Sequence, residues 1–213
     1  MKLFPSFRPI ESVCAAALVI FACTKTTHAA PLDGKVSTSP KGTVVLLIRH
    51  AEKPDKGTGL SPAGEEHARA YVPFFSDYRF GSRHLTADAL FAAADSDGSA
   101  RPRLTLTPVS QALKKPINAD FIGKKYDDLA HQLRTSEFSG KTVVICWKHG
   151  EIMQLAAALG VNPAALPAQA HWPLTWPEDQ FGWILQIVYD DSGNVDVANT
   201  VCITEPALST IAR

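Results

Sequence analysis

Two aliphatic runs constrain the fold of this chain more than any other feature of its sequence. The residues TVVLLI (43–48) and KTVVICW (141–147) are mostly β-branched, aliphatic or aromatic. Strands covered on one face alternate apolar and polar residues, whereas continuous apolar runs are typical of parallel sheets with helices on both faces. Helical signals follow each run, which indicates an α/β fold.

The segments around these runs refine the fold class. Ser61 is expected to cap a helix that has Pro62 at its first position. The segments 182–190 and 194–204 flank the turn 191–193 (Asp-Ser-Gly), which predicts a hairpin and therefore an antiparallel strand. We predict a three-layer α/β/α sandwich with a mostly parallel central sheet and an antiparallel edge strand.

The N-terminus has the pattern of a cleaved secretory signal peptide. Lys2 and Arg8 precede the apolar run 13–23, and the segment that follows ends in the small residues Ala29 and Ala30. A run of 11 apolar residues is too short to span a bilayer. We therefore expect a periplasmic or secreted protein without a stable membrane span, and a lipoprotein signal that modifies Cys23 is the alternative.

The rest of the chain is predicted to be a linker and one domain. The signal peptide is residues 1–30, the linker is residues 31–42, and the domain is residues 43–213. Residues 31–42 are rich in Pro, Gly and Ser, and the remainder suits a single domain. Lys and Arg together number 21, as do Asp and Glu, so no overall charge attracts nucleic acid or an anionic membrane. Recognition of an anion must depend on local charges.

Both aliphatic runs end in a base followed by a histidine. The first continues into Arg49-His50 and the second into Lys148-His149. Ligands of open α/β sheets bind at the carboxyl ends of the strands, so both histidines are expected at one crevice. A single histidine at a strand end is more often structural, but two that each follow a base favour a functional site.

Between the two runs, Arg101 and Arg103 follow the apolar run ALFAAA (89–94) and a polar loop. The planar guanidinium donates two parallel hydrogen bonds and keeps its charge, which suits a phosphate group. The alternative for this pair is a solvated loop without a function.

The motifs LIRHAEK (47–53), SARPRLTLTPVSQAL (99–113) and ICWKHGEI (145–152) resemble the ordered motifs of the histidine phosphatase superfamily, which has the phosphoglycerate mutase-like fold. The resemblance covers nearly all of residues 43–203. It implies a phosphatase that hydrolyses phosphomonoesters through a phosphohistidine, acting on a small phosphorylated substrate without a metal or another cofactor. The alternative is a non-catalytic phosphate- or phosphosugar-binding module on the same fold.

The resemblance also implies roles for individual residues. His50 matches the phosphorylated nucleophile, Arg49 the adjacent phosphate-binding arginine, and His149 the second histidine, which in the family also holds the phosphoryl group. Nearby bases should discourage His50 from taking a second proton, so it stays a nucleophile.

The second arginine is assigned by spacing. Arg101, Thr105 and Pro108 reproduce the family pattern Arg-x-x-x-Thr-x-x-Pro, so Arg101 is the match and Arg103 is the alternative.

The acid that protonates the leaving oxygen is less well defined, because the chain departs here from the clearest family pattern. Glu151 is our first choice because it lies at the same strand-to-helix boundary as His149. Its alternative role is a charge that stabilises a helix N-terminus. Asp127 and Asp128 are further candidates.

Two other features leave alternatives open. Cys146 and Cys202 remain after cleavage and either form a disulfide or stay free as small apolar side chains. The segment HWPLTWPEDQFGW (171–183) is either a packed cover or an aromatic wall for the substrate.

N-terminal sequencing of the exported protein tests the signal peptide. We expect the mature chain to begin at Ala30 or Pro31. A blocked N-terminus on a lipid-modified Cys23 would instead support the lipoprotein signal.

Overall fold

The structure is a computed structural model that describes residues 40–204, so the predicted signal peptide and most of the predicted linker lie outside the described residues. Within this range the strands are β1 (Val44–Arg49), β2 (Tyr78–Phe80), β3 (Arg83–Leu85), β4 (Ala89–Ala92), β5 (Ile117–Asn118), β6 (Thr142–Trp147), β7 (Trp183–Val188) and β8 (Val201–Thr204). The α-helices are α1 (Pro62–Ser76), α2 (Arg101–Leu113), α3 (Tyr126–Leu133) and α4 (His149–Ala158). None of these helices has the length and apolar character needed to cross a bilayer.

Six strands form the central sheet in the order β5-β4-β6-β1-β7-β8, and β2 pairs with β3 in a separate hairpin. The strands β5, β4, β6 and β1 run parallel to one another. Strand β7 runs antiparallel to β1, and the edge strand β8 pairs antiparallel with β7. The predicted sheet, mostly parallel with an antiparallel edge strand, is confirmed.

Helices cover both faces of the sheet, and β1 shows why its run had to be continuous. Val44, Leu46 and Ile48 point into a core shared with α1 and α2. Val45 and Leu47 point into the opposite core, shared with α3 and α4. All five are essentially inaccessible to solvent, so the predicted three-layer sandwich is confirmed.

The sheet order decides the state of the two cysteines. Cys146 lies on β6 and Cys202 on β8, and both are free. Two strands, β1 and β7, separate them. Three inter-strand spacings amount to about 14 Å, well beyond the span of a disulfide, so the disulfide alternative is wrong.

The start of α1 is tied to the loop that follows β1. The Ser61 hydroxyl accepts a hydrogen bond from the Gly64 amide at 3.1 Å, as expected of an N-cap. The Ser61 amide donates to the carbonyl of Glu52 at 2.9 Å. A Cβ atom at Gly64 would lie 2.3 Å from that same carbonyl oxygen, so the helix and the loop are in direct backbone contact.

Substituting Gly64 tests this contact. We expect Gly64→Ala to lower the free energy of unfolding by about 1–3 kcal/mol because two backbones would have to separate. Gly150→Ala is the matched control, since Gly150 also lies in the first turn of a helix but has open space around its Cα. Denaturant unfolding should leave that variant within about 1 kcal/mol of wild type. Equal stability of the two variants would contradict the close contact at Gly64.

Candidate active site

The sheet brings the two base-histidine pairs to one edge. Strands β1 and β6 are parallel neighbours, and Arg49 is in register with Trp147. The register continues one step further, because the His50 amide donates to the Trp147 carbonyl at 3.1 Å. His149 begins α4 two residues after β6 ends. Both histidines therefore lie beyond the carboxyl ends of adjacent strands, where the sequence placed them.

His50 is buried and held in one tautomer. Its side chain is 5% exposed, and Nδ1 lies 2.8 Å from the carbonyl oxygen of Ala51. A carbonyl only accepts hydrogen bonds, so Nδ1 carries the proton and Nε2 keeps its lone pair. Burial lowers the pKa of His50 to about 4, against the opposing hydrogen bond to Ala51.

Two arginines and a second histidine act electrostatically on this imidazole. After burial, the charges of Arg49, Arg101 and His149 also lower the pKa of His50. The neutral imidazole expected from the sequence follows, although burial is its main cause rather than the neighbouring bases. The arrangement couples a free lone pair with a region of positive charge.

Arg49 is held by backbone carbonyls. Its Nη1 donates to the carbonyls of Pro177 (3.2 Å), Glu178 and Gln180 (3.2 Å), and Phe181 places its ring 4.0 Å from the guanidinium carbon. We call residues 177–181 the clasp. The Nε of Arg49 is buried without a partner among the described residues, so a donor remains for an anion.

Arg101 is also oriented by main-chain oxygens, and it opens α2 rather than lying in the loop expected from the sequence. Its Nε donates to the Gly59 carbonyl at 3.0 Å and Nη2 to the Gly57 carbonyl at 2.7 Å, while Nη1 reaches the Ser99 hydroxyl at 3.3 Å. Each terminal nitrogen has two N–H groups, so one on each is available to an anion.

The two arginine candidates differ in their partners. Arg103 donates to the Asp95 carboxylate from Nε at 2.9 Å and from Nη2 at 2.6 Å. Its charge is thus neutralised at an exposed pair, whereas the charge of Arg101 acts on His50. The geometry favours Arg101 as the phosphate-binding residue.

Thr105 links α2 to the loop that follows His50. This contact gives a physical reason for the spacing between Arg101 and Thr105. The Ala51 amide donates to the Thr105 hydroxyl at 2.9 Å, and this hydroxyl donates to the Arg101 carbonyl at 2.8 Å. Thr105 is fully buried. One hydroxyl therefore joins the residue after His50 to the turn of helix that carries Arg101.

A largely buried pair between His67 of α1 and Glu52 fixes the same loop. Nδ1 of His67 lies 3.0 Å from both carboxylate oxygens of Glu52. Burial opposes ionisation of Glu52, but the hydrogen bond and charge of His67 and the charge of Arg49 keep its pKa below the ordinary value. These contacts tie the Glu52 side chain to α1 and so hold the loop that follows β1.

His149 and Glu151 lie in the first turn of α4. Burial lowers the pKa of His149, and the charge of Arg49 adds to that effect, whereas Glu178 and then Glu151 oppose it. The Oε1 of Glu178 lies 4.0 Å from Nε2 of His149. Glu178 thus stands closer to the site than its place in the sequence indicated.

Sequence reasoning missed Glu178 and the clasp. The signal was present only as the unusual aromatic segment 171–183, for which packing was one alternative. Trp176 is buried at 6% exposure in one core, so this part of the segment does pack as a cover. The contact between the clasp and Arg49 joins residues 128 to 131 positions apart in the chain, and no local pattern predicts it.

In residues 40–204, no three or more His, Cys, Asp or Glu side chains are grouped so that they could hold a metal ion.

Comparison with solved structures identifies the fold. The structure of the protein histidine phosphatase SixA complexed with tungstate matches with a TM-score of 0.51 and 16% identity, over 76% of this chain and 96% of SixA. A structure from Agrobacterium tumefaciens, assigned as a phosphohistidine phosphatase SixA, has a TM-score of 0.45 and 20% sequence identity. The match covers 69% of this chain and 92% of that one. A phosphoglycerate mutase from Bacillus anthracis has a TM-score of 0.44 and 13% sequence identity, and the match covers 82% of this chain and 97% of that one.

No protein-family model matches the sequence, and no curated protein does. At 16% identity the likeness to SixA establishes the fold alone. Together with the sheet order, it shows that the chain has the phosphoglycerate mutase-like fold.

The protonation of His50 can be tested by NMR. Its pKa of about 4 lies below the 6.5 of an ordinary histidine, so we expect the imidazole to stay neutral down to about pH 4. Between these values the unfolded chain binds a proton that the folded protein does not. Stability should therefore fall as the pH drops from 6.5 to about 4, and less steeply in His50→Gln. A titration midpoint near 6.5 would contradict the burial of this group.

Proposed function

We propose that this protein is a histidine phosphatase that hydrolyses phosphomonoesters through a phosphohistidine at His50. The observation that carries the proposal is a buried, neutral His50 surrounded by the charges of Arg49, Arg101 and His149. A nucleophile and a binding region for a dianion coincide at this point. SixA has the same fold and was crystallised with tungstate, a tetrahedral oxyanion like phosphate.

The geometry assigns a first step to these residues. The Nε2 lone pair of His50 attacks phosphorus, and the hydrogen bond from Nδ1 to Ala51 keeps the ring oriented. The transferring phosphoryl group spreads charge over its equatorial oxygens. Arg49, Arg101 and His149 stabilise that charge, and the N-terminus of α4 adds a positive partial charge.

The second step returns the histidine to its starting state. Water attacks phosphorus, the P–N bond breaks and phosphate leaves. Two carboxyl groups near His149, Glu151 and Glu178, are available to handle the protons of both steps.

We also propose that the enzyme acts in the periplasm or outside the cell. The basic start and short apolar run of the N-terminus support this location.

An assay with an aryl phosphate tests the function. The purified protein should hydrolyse p-nitrophenyl phosphate in the presence of EDTA, and His50→Ala should lose at least about 1,000-fold in kcat/KM because the attacking nitrogen is removed. Acid-quenched enzyme should lose its phosphoryl group, whereas alkaline quenching should preserve it on His50.

His131→Ala is a matched control, because His131 lies on α3 away from the strand ends. This variant should retain wild-type activity. Equal turnover by His50→Ala would contradict the nucleophile, and phosphate binding without turnover by wild type would favour the non-catalytic module.

A further inference from the structure

Glu178 is a carboxylate that phosphate binding does not account for. Its Oε1 lies 4.0 Å from Nε2 of His149, and its backbone carbonyl accepts a hydrogen bond from Arg49. Two of the groups assigned to the phosphoryl site therefore contact or approach this one residue. Among the charged groups that act on Arg49, Glu178 has the largest effect.

A purely structural role does not explain this placement. The Glu178 side chain is 88% exposed, so its pairing with His149 adds little to stability. In a site that only binds phosphate, a carboxylate beside His149 would repel the dianion. A carboxyl group is useful there if it exchanges a proton with the oxygen that leaves or attacks.

Resting on the proposed function, we propose that Glu178 is the proton donor for the leaving oxygen and the proton acceptor for the attacking water. As Nε2 of His50 bonds to phosphorus, the P–O bond breaks, and its electron pair takes the proton of the Glu178 carboxyl group. The alcohol leaves, and a carboxylate and a phosphohistidine remain.

Water then completes the cycle. Its oxygen bonds to phosphorus while the Glu178 carboxylate removes one proton, and the electron pair of the broken P–N bond returns to Nε2 of His50. Phosphate leaves with the second proton of the water, and Glu178 is protonated again. One ester and one water give one alcohol and one phosphate.

The geometry favours Glu178 over Glu151. Glu151 follows His149 by two positions on α4, and side chains separated by two positions on a helix do not face each other. Glu178 approaches His149 from a separate segment whose backbone is bound to Arg49. Its carboxyl group thus approaches the Nε2 atom of His149 from outside α4.

The test compares two aryl phosphates that differ in their need for a proton. Phenolate is a poor leaving group and must be protonated, whereas dinitrophenolate leaves without a proton. We expect Glu178→Gln to lower kcat/KM on the order of 100-fold for phenyl phosphate and to stay within about threefold of wild type for dinitrophenyl phosphate. The ratio kcat/KM reports phosphorylation of His50 alone, so a slower second step does not disturb the comparison.

Two variants accompany Glu178→Gln. Asp179→Asn removes the adjacent carboxylate, whose charge also acts on Arg49, and should change kcat/KM by the same factor for both substrates. Glu151→Gln tests the rival acid and should show no dependence on the leaving group. Circular dichroism and thermal unfolding should be the same for all three variants and wild type.

The outcomes separate this inference from the proposed function. If wild type hydrolyses both esters and His50→Ala hydrolyses neither, the phosphatase stands. An equal effect of Glu178→Gln on both esters, or no effect, then overturns the proton-transfer role alone. A loss specific to phenyl phosphate in Glu151→Gln in place of Glu178→Gln also overturns it. If wild type hydrolyses neither ester, both proposals fail.

Discussion

The parallel pairing of β1 with β6 determines where the candidate site of this protein lies. Because the two strands run in the same direction and Arg49 is in register with Trp147, the residues that follow both strands emerge at the same edge. The apolar residues of both strands are buried between two helical layers, so a shift of register would expose one core. The packing of the whole sheet thus holds His50 and His149 at one site.

Around this edge, the main chain does much of the positioning. Carbonyl groups of the clasp hold Arg49, and carbonyls of Gly57 and Gly59 hold Arg101. Each guanidinium needs acceptors when it is partly buried, and the carbonyl groups supply them. Thr105 and the α1 N-terminus fix the loop of His50 in the same way, through short-range contacts with backbone atoms.

The parts of the site that the sequence predicted are those governed by local pattern. The continuous apolar runs predicted the strands. The ends of these strands predicted His50 and His149, because parallel strands have their carboxyl ends at the same edge of the sheet. The choice between Arg101 and Arg103 needed the Asp95 contact, which depends on the conformation of a loop. Glu178 was beyond reach because its approach to His149 depends on tertiary hydrogen bonds between distant segments.

The clasp contacts Arg49 through carbonyl oxygens, and this has an evolutionary consequence. A carbonyl is supplied by any residue type, so the side chains at 177 and 180 can be exchanged while the arginine keeps its three acceptors. The same short segment borders the entrance near His149. Sequence changes at these two positions could therefore alter the surroundings of His149 while the carbonyl contacts to Arg49 persist.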